Sequence, residues 1–181
     1  GPRREIGIRT VFNVLGPLTN PAGAQAQVVG VPSPDLVEKL ARVLLRLGCQ
    51  HALVVHGEDG IDELSISAPT LVGEVRMGQV KTYTIQPEDC GLTRAERGEL
   101  RGGTAAENAA RVRGILANTT NGGGRRVVLL NAAAALVAGD AAGSLREGVE
   151  LARESLDSGR ALERLDRLVE FSRKLAAERQ G

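Results

Sequence analysis

Ala52-Leu53-Val54-Val55-His56-Gly57-Glu58-Asp59-Gly60-Ile61-Asp62-Glu63-Leu64-Ser65 is the segment on which this chain turns. Its first four residues are apolar and rich in Val and Leu, the pattern of a short strand buried on both faces. Four acidic residues and two glycines follow at once. In open α/β sheets, ligands collect at turns beyond the carboxyl ends of strands. Neighbouring carboxylates repel one another unless a cation stands between them. A hard divalent ion, bridged to phosphate oxygens, suits such a pair. A solvated acidic turn is the plain alternative, and the segment alone leaves both open.

The flanks on either side extend the same architecture. Residues 27–31 predict a short strand, and Ser33 or Asp35 caps the helix after it, with Pro34 near the first turn. Leu36, Leu40, Val43, Leu44 and Leu47 recur at helical spacing, and Gly48 closes the helix. Strand, helix and strand with short links make a parallel βαβ unit. Beyond the acidic turn, residues 70–75 and 80–85 predict an antiparallel hairpin turning near Met77-Gly78. Thr104 and Glu107 form a capping-box pattern ahead of a helix over 105–116. Residues 118–124 read as a polar loop. Its Gly122-Gly123-Gly124 lacks the Gly-Lys-Ser/Thr ending of a phosphate-binding loop. Residues 127–137 are apolar, with four alanines from Ala132, and predict a fully buried helix packed closely on its neighbours. Ser144 caps a helix to about 158, and Leu162, Leu165, Leu168, Val169 and Leu175 stripe a last one. The expected fold is α/β: a mainly parallel sheet flanked by helices, with an antiparallel hairpin, in one domain over 1–181.

Composition removes several functions. Lys plus Arg (23) nearly balances Asp plus Glu (22), so no basic surface argues for nucleic acid or an anionic membrane. Aromatic residues make up 2% with no Trp, too few for a base-stacking platform. No apolar run approaches 18 residues, and the N-terminus lacks a signal-peptide core, which fits a cytoplasmic protein. Cys49 and Cys90 show no paired-ligand spacing and read as reduced structural thiols. Ser65 has no His partner by any spacing rule, and His51 and His56 at the strand ends read as structural. What remains is electrostatic chemistry. Asp62 and Glu63 suit a divalent ion, and Arg3, Arg4 and Arg9 suit a carboxylate, which a guanidinium fork binds with two parallel hydrogen bonds. A metal with carboxylate ligands and no nucleophile points to a polyphosphate substrate.

The N-terminal block Arg3-Arg4-Glu5-Ile6-Gly7-Ile8-Arg9-Thr10-Val11-Phe12-Asn13-Val14-Leu15-Gly16-Pro17-Leu18-Thr19-Asn20-Pro21 closely resembles the signature of the anthranilate phosphoribosyltransferase family. By its prolines alone this block is a loop with Leu15 and Leu18 turned inward. Val55-His56-Gly57 through Gly60-Ile61-Asp62-Glu63 resembles the family's acidic metal pair. Gly102-Gly103-Thr104 with Glu107-Asn108-Ala109, and Leu130-Asn131-Ala132-Ala133-Ala134-Ala135-Leu136, match its later blocks.

The resemblance implies the C-terminal domain of the nucleoside phosphorylase and phosphoribosyltransferase fold. It implies transfer of a phosphoribosyl group from phosphoribosyl pyrophosphate to anthranilate in tryptophan synthesis, with Mg2+ as cofactor and a homodimeric intact enzyme. On it, Asp62 and Glu63 are the metal pair, Arg3 meets anthranilate's carboxylate, and Gly16 belongs to the acceptor pocket. Arg4, Arg9 and Asn13 receive no individual role. Members of the family are nearly twice this length. The expectation is therefore a C-terminal part without the N-terminal helical domain and the diphosphate-binding Gly-rich loop, and with little activity alone. The alternatives are a pyrimidine nucleoside phosphorylase-like enzyme, a non-catalytic nucleic-acid-binding paralogue, or a structural half-domain.

Overall fold

The protein is described here from a computed structural model covering residues 16–19 and 23–179. Arg3, Arg4, Arg9, Asn13 and Leu15 lie outside the described residues. Four strands, β1 (Ala26–Gly30), β2 (His51–Gly57), β3 (Thr70–Arg76) and β4 (Gln79–Ile85), form one sheet in sequence order. β1 and β2 pair in parallel, with Ala26 opposite His51 and Gly30 opposite Val55. β2–β3 and β3–β4 pair antiparallel. The described sheet is thus mixed, and the parallel expectation holds for the β1–β2 pair. Parallel pairing there requires a crossover, which α1 (Asp35–Arg46) supplies.

The hairpin turns as its sequence predicts. Met77 (φ 49°) and Gly78 (φ 73°) both adopt positive φ between Arg76 and Gln79, the two-residue geometry that matches strand twist. The helix ahead of β2 differs in detail from its prediction. Pro34 holds the cap position with no side-chain cap bond, and the Ser33 hydroxyl donates to the Asp35 carboxylate instead. The buried face of α1 is Val37, Leu40, Ala41 and Leu44, while Leu47 is exposed at the helix end.

Every residue of β2 is buried, because the sheet is covered on both faces. Ala52 and Val54 point to the layer of α1, with Val29, Val75, Leu40 and Leu44. Leu53 and Val55 point to the opposite layer of α3 (Gly123–Ala138) and α4 (Leu145–Asp157). Small residues set the spacing between packed elements. A Cβ on Gly73 of β3 would stand 3.0 Å from Val37 of α1, and one on Gly148 of α4 would stand 2.9 Å from Ala133 of α3. The alanine-rich α3 is therefore closely packed, but on one face: Ala133 and Ala134 are buried and Ala135 is exposed. It also begins earlier than its apolar run, at Gly123, because the Glu99 carboxylate accepts the Gly123 N–H (2.7 Å) at the helix start. α2 (Ala105–Leu116) starts with the predicted capping box of Thr104 and Glu107. α5 (Arg160–Glu178) buries no residue, and Leu168 and Leu175 of its stripe are exposed, as is Phe171.

Candidate functional site

The acidic segment leaves the carboxyl end of β2 and crosses the end of β1. The crossing is possible only because residue 30 is glycine. A Cβ there would fall 1.6 Å from the backbone oxygen of Asp62. Gly57 opens the turn, with its N–H donated to the Ile61 carbonyl (2.9 Å), and Gly60 (φ 89°) reverses the chain, with its N–H donated to the Gly57 carbonyl (2.8 Å). The far end returns to the sheet where the Glu58 N–H meets the Pro69 carbonyl (2.9 Å).

Inside this turn, Ser65 is the hub, and it is 1% exposed. Its hydroxyl donates to the Asp59 carboxylate (2.9 Å) and accepts the N–H groups of Ser67 and Ala68 (both 3.0 Å). Its own N–H is taken by the Thr70 hydroxyl (2.9 Å). Leu64, fully buried, is gripped from α3. The Asn131 carboxamide accepts the Leu64 N–H (3.0 Å) and donates to the carbonyls of Leu64 (3.0 Å) and Val127 (3.0 Å). These contacts also fix which way the amide points, since only one orientation satisfies all three.

Asp62 and Glu63 ride on this pinned backbone with exposed side chains. Among the described residues neither carboxylate forms an ion pair or a side-chain hydrogen bond. Two adjacent acids held on an ordered turn without a cationic partner fit a hard divalent ion by their donor chemistry. Mg2+ commonly takes only one or two protein carboxylates, with water and substrate phosphate oxygens completing its octahedron. No group of three or more His, Cys, Asp or Glu that could hold a metal occurs among the described residues, so no closed all-protein cage forms among them. One further oxygen of the turn, Asp59 Oδ1, is buried with no hydrogen-bond partner among the described residues.

Two clefts flank β2. One of about 470 Å³ lies against the acidic turn, lined by Asp59, Ile61, Arg97, Gly98, Leu100 and Arg101. Arg97 and Arg101 are exposed, and their side chains form no ion pair among the described residues. The other, about 830 Å³, opens at the opposite end of β2 beside His51, Arg76 and Asp140. Asp62 and Glu63 line neither cleft.

The remaining candidates hold structural positions. His51 faces Asp140 (2.9 Å) through one ring nitrogen and Glu74 (3.3 Å) through the other. His56 donates from Nδ1 to the Val31 carbonyl (2.9 Å). Both are buried, and among the described residues their rings bond carboxylates and a backbone carbonyl. The Cys49 thiol donates to the Gln25 carbonyl (3.2 Å). Burial pushes the Cys90 thiol up to about 11, so it stays protonated and unreactive. Gly16 begins a short 3-10 turn (Gly16–Leu18), is exposed, and meets no described residue where a Cβ would stand. Leu18 of the same turn packs inward against the α1 layer, as predicted. At the start of α3, the Glu99 carboxylate fills the place a phosphate would take, and the Gly123 N–H holds it below the usual glutamate range.

Residues 1–162 match the model of a family described as "Glycosyl transferase family, a/b domain". The chain is 60% identical over 176 residues to the anthranilate phosphoribosyltransferase of Symbiobacterium thermophilum, covering 97% of this chain and 51% of the relative. Among solved structures it is similar to anthranilate phosphoribosyltransferase from Thermus thermophilus, with 48% identity and a TM-score of 0.85 over 94% of this chain and 50% of that one. It is also similar to the Saccharomyces cerevisiae enzyme in complex with PRPP and Mg, with 30% identity and a TM-score of 0.80 over 91% of this chain and 47% of that one. The chain spans about half the length of the relatives it matches.

Proposed function

This chain belongs to the glycosyl transferase family, a/b domain, and from that premise we propose that it forms part of an anthranilate phosphoribosyltransferase. Its role is to present Asp62 and Glu63 to the magnesium-bound diphosphate of phosphoribosyl pyrophosphate. One observation carries this reading: both carboxylates are free of cationic partners among the described residues while the backbone beneath them is held from three sides. Support also comes from the yeast enzyme, whose solved structure is a complex with PRPP and Mg. Of the rival readings, neither a nucleoside phosphorylase nor a nucleic-acid-binding paralogue draws support from these relatives.

The reaction joins the anthranilate nitrogen to the ribosyl carbon and breaks that carbon's bond to a diphosphate oxygen. When bound, magnesium supplies positive charge against the departing diphosphate. The chain's own contribution is placement. Asp62 and Glu63 neutralise and orient the cation, and the Gly57–Thr70 turn holds them at fixed positions before substrate arrives, so that little reorganisation is needed at the moment of reaction. Arg97 and Arg101, beside the turn, add an electropositive wall suited to an anionic substrate. Arg3 and Gly16 take the anthranilate side in this reading. The half of the relatives' length that this chain does not span would carry the remaining substrate contacts and those of a homodimer.

Calorimetric titration of phosphoribosyl pyrophosphate with and without Mg2+ tests the assignment. Asp62→Ala combined with Glu63→Ala is expected to weaken magnesium-dependent binding at least tenfold. Because both side chains are exposed and unpaired, the melting temperature should stay where it is. Magnesium dependence unchanged in the double variant would overturn the role.

A further inference from the structure

The acidic pair depends on a residue from the other end of the chain. Leu64 directly follows Glu63, and both of its backbone groups are bonded by one side chain, Asn131 of α3, 67 residues away. The partners of Asn131 are unusual for a helix of this kind. It sits between Leu130 and Ala132 in an otherwise apolar run, where a polar group is costly unless fully bonded. Its amide makes three contacts there, two of them to the acidic turn. Leu64 and Ile66 beyond it are fully buried. On the opposite side, the missing Cβ of Gly30 admits the Asp62 carbonyl. The peptide units bearing Asp62 and Glu63 are therefore clamped between β1 and α3.

We propose that Asn131 is a positioning residue for the diphosphate-metal carboxylates. By fixing Leu64 it sets the direction in which Asp62 and Glu63 leave the backbone, and so the affinity of the pair for a metal-diphosphate. The inference rests on the site assignment made above, and it adds a residue that never touches metal or substrate. A side chain that only filled the core would affect stability alone. One that positions the pair affects both stability and metal-diphosphate affinity.

The test uses the intact enzyme of which this chain is proposed to form part, with Mn2+ and inorganic pyrophosphate followed by electron paramagnetic resonance, and amide hydrogen exchange at Leu64 without metal. Asn131→Leu is expected to speed exchange at Leu64 at least tenfold and to weaken Mn2+-pyrophosphate binding about tenfold. Asn131→Asp keeps an acceptor for the Leu64 N–H and loses the donor to the Leu64 carbonyl. It should fall between wild type and the Leu variant, and it serves if the Leu variant does not fold. Leu44→Ala, buried in the α1 layer on the far face of the sheet, should lower stability and leave metal-diphosphate affinity within twofold. Affinity retained within twofold in the Asn131 variants, with Leu64 exchange accelerated, overturns the inference and leaves the site assignment standing. Equal losses in Leu44→Ala also overturn it. Failure of wild type to bind, or unchanged binding after Asp62→Ala with Glu63→Ala, overturns the assignment and the inference together.

Discussion

Two asparagines in this molecule make the same bond pattern in different settings. Asn131 holds the N–H and carbonyl of Leu64 across 67 residues in a partly buried site. Asn108 holds the N–H (2.9 Å) and carbonyl (3.0 Å) of Gly103 across five residues at an exposed one. Water can replace Asn108 at little cost, because Gly103 is already solvated. Nothing replaces Asn131, because Leu64 lies in the core. A hydrogen bond contributes according to what its partners do when it is absent. The acidic turn is therefore built as part of the core, and the Gly102-Gly103 segment as part of the surface.

The sharpest way to break this contrast is to truncate both amides. Asn131→Leu strands two buried backbone groups and should cost about 4 kcal/mol in urea unfolding. Asn108→Leu should cost less than about 1 kcal/mol. Equal losses would mean that burial does not distinguish the two regions.

Glycine substitutions sharpen the same comparison at a lower level. Gly30→Ala drives a methyl into the Asp62 carbonyl and should cost about 3 kcal/mol, since backbone must move to admit it. A Cβ on Gly103 meets only the Glu107 side chain, whose carboxylate must leave its bonds to Thr104 to make room. Gly103→Ala should cost about 1 kcal/mol, the loss of an exposed cap. Melting temperatures measured side by side decide it.

The smallest effect concerns pH. The Gly123 N–H, followed by that of Glu96, holds Glu99 below its ordinary value of 4.5 in the folded protein. A carboxyl depressed on folding adds stability above its unfolded pKa and loses it as pH falls through the folded value. Stability should therefore decline on the acid side of the ordinary glutamate range, and Glu99→Gln should flatten that decline. A pH series of unfolding midpoints with identical acid slopes in both proteins would refute it.

Local features of this protein were legible in its sequence, wherever the deciding contacts lie within a few residues. The Thr104–Glu107 box, the Met77-Gly78 turn and the Ser144 cap each depend on neighbours three residues apart or fewer. The place of Asp62 and Glu63 on a turn beyond β2 was legible for a related reason: strand, glycine and carboxylates follow one another without interruption. The details of α1 were less so, because which of its apolar residues face inward depends on how closely Gly73 lets the helix approach. The roles of Gly30 and Asn131 carried weak signals, a glycine closing a strand and one amide inside an apolar helix. Neither signal names its partner.

By itself the sequence determined the order of the elements, the strand that carries the acidic turn, and the two adjacent carboxylates on that turn. Only the tertiary structure decided what holds that turn. Its restraints come from β1 and from α3, segments separated from it by tens of residues. Periodicity and turn chemistry act over single turns of chain, whereas a buried amide finds its partners only once the layers have closed around it.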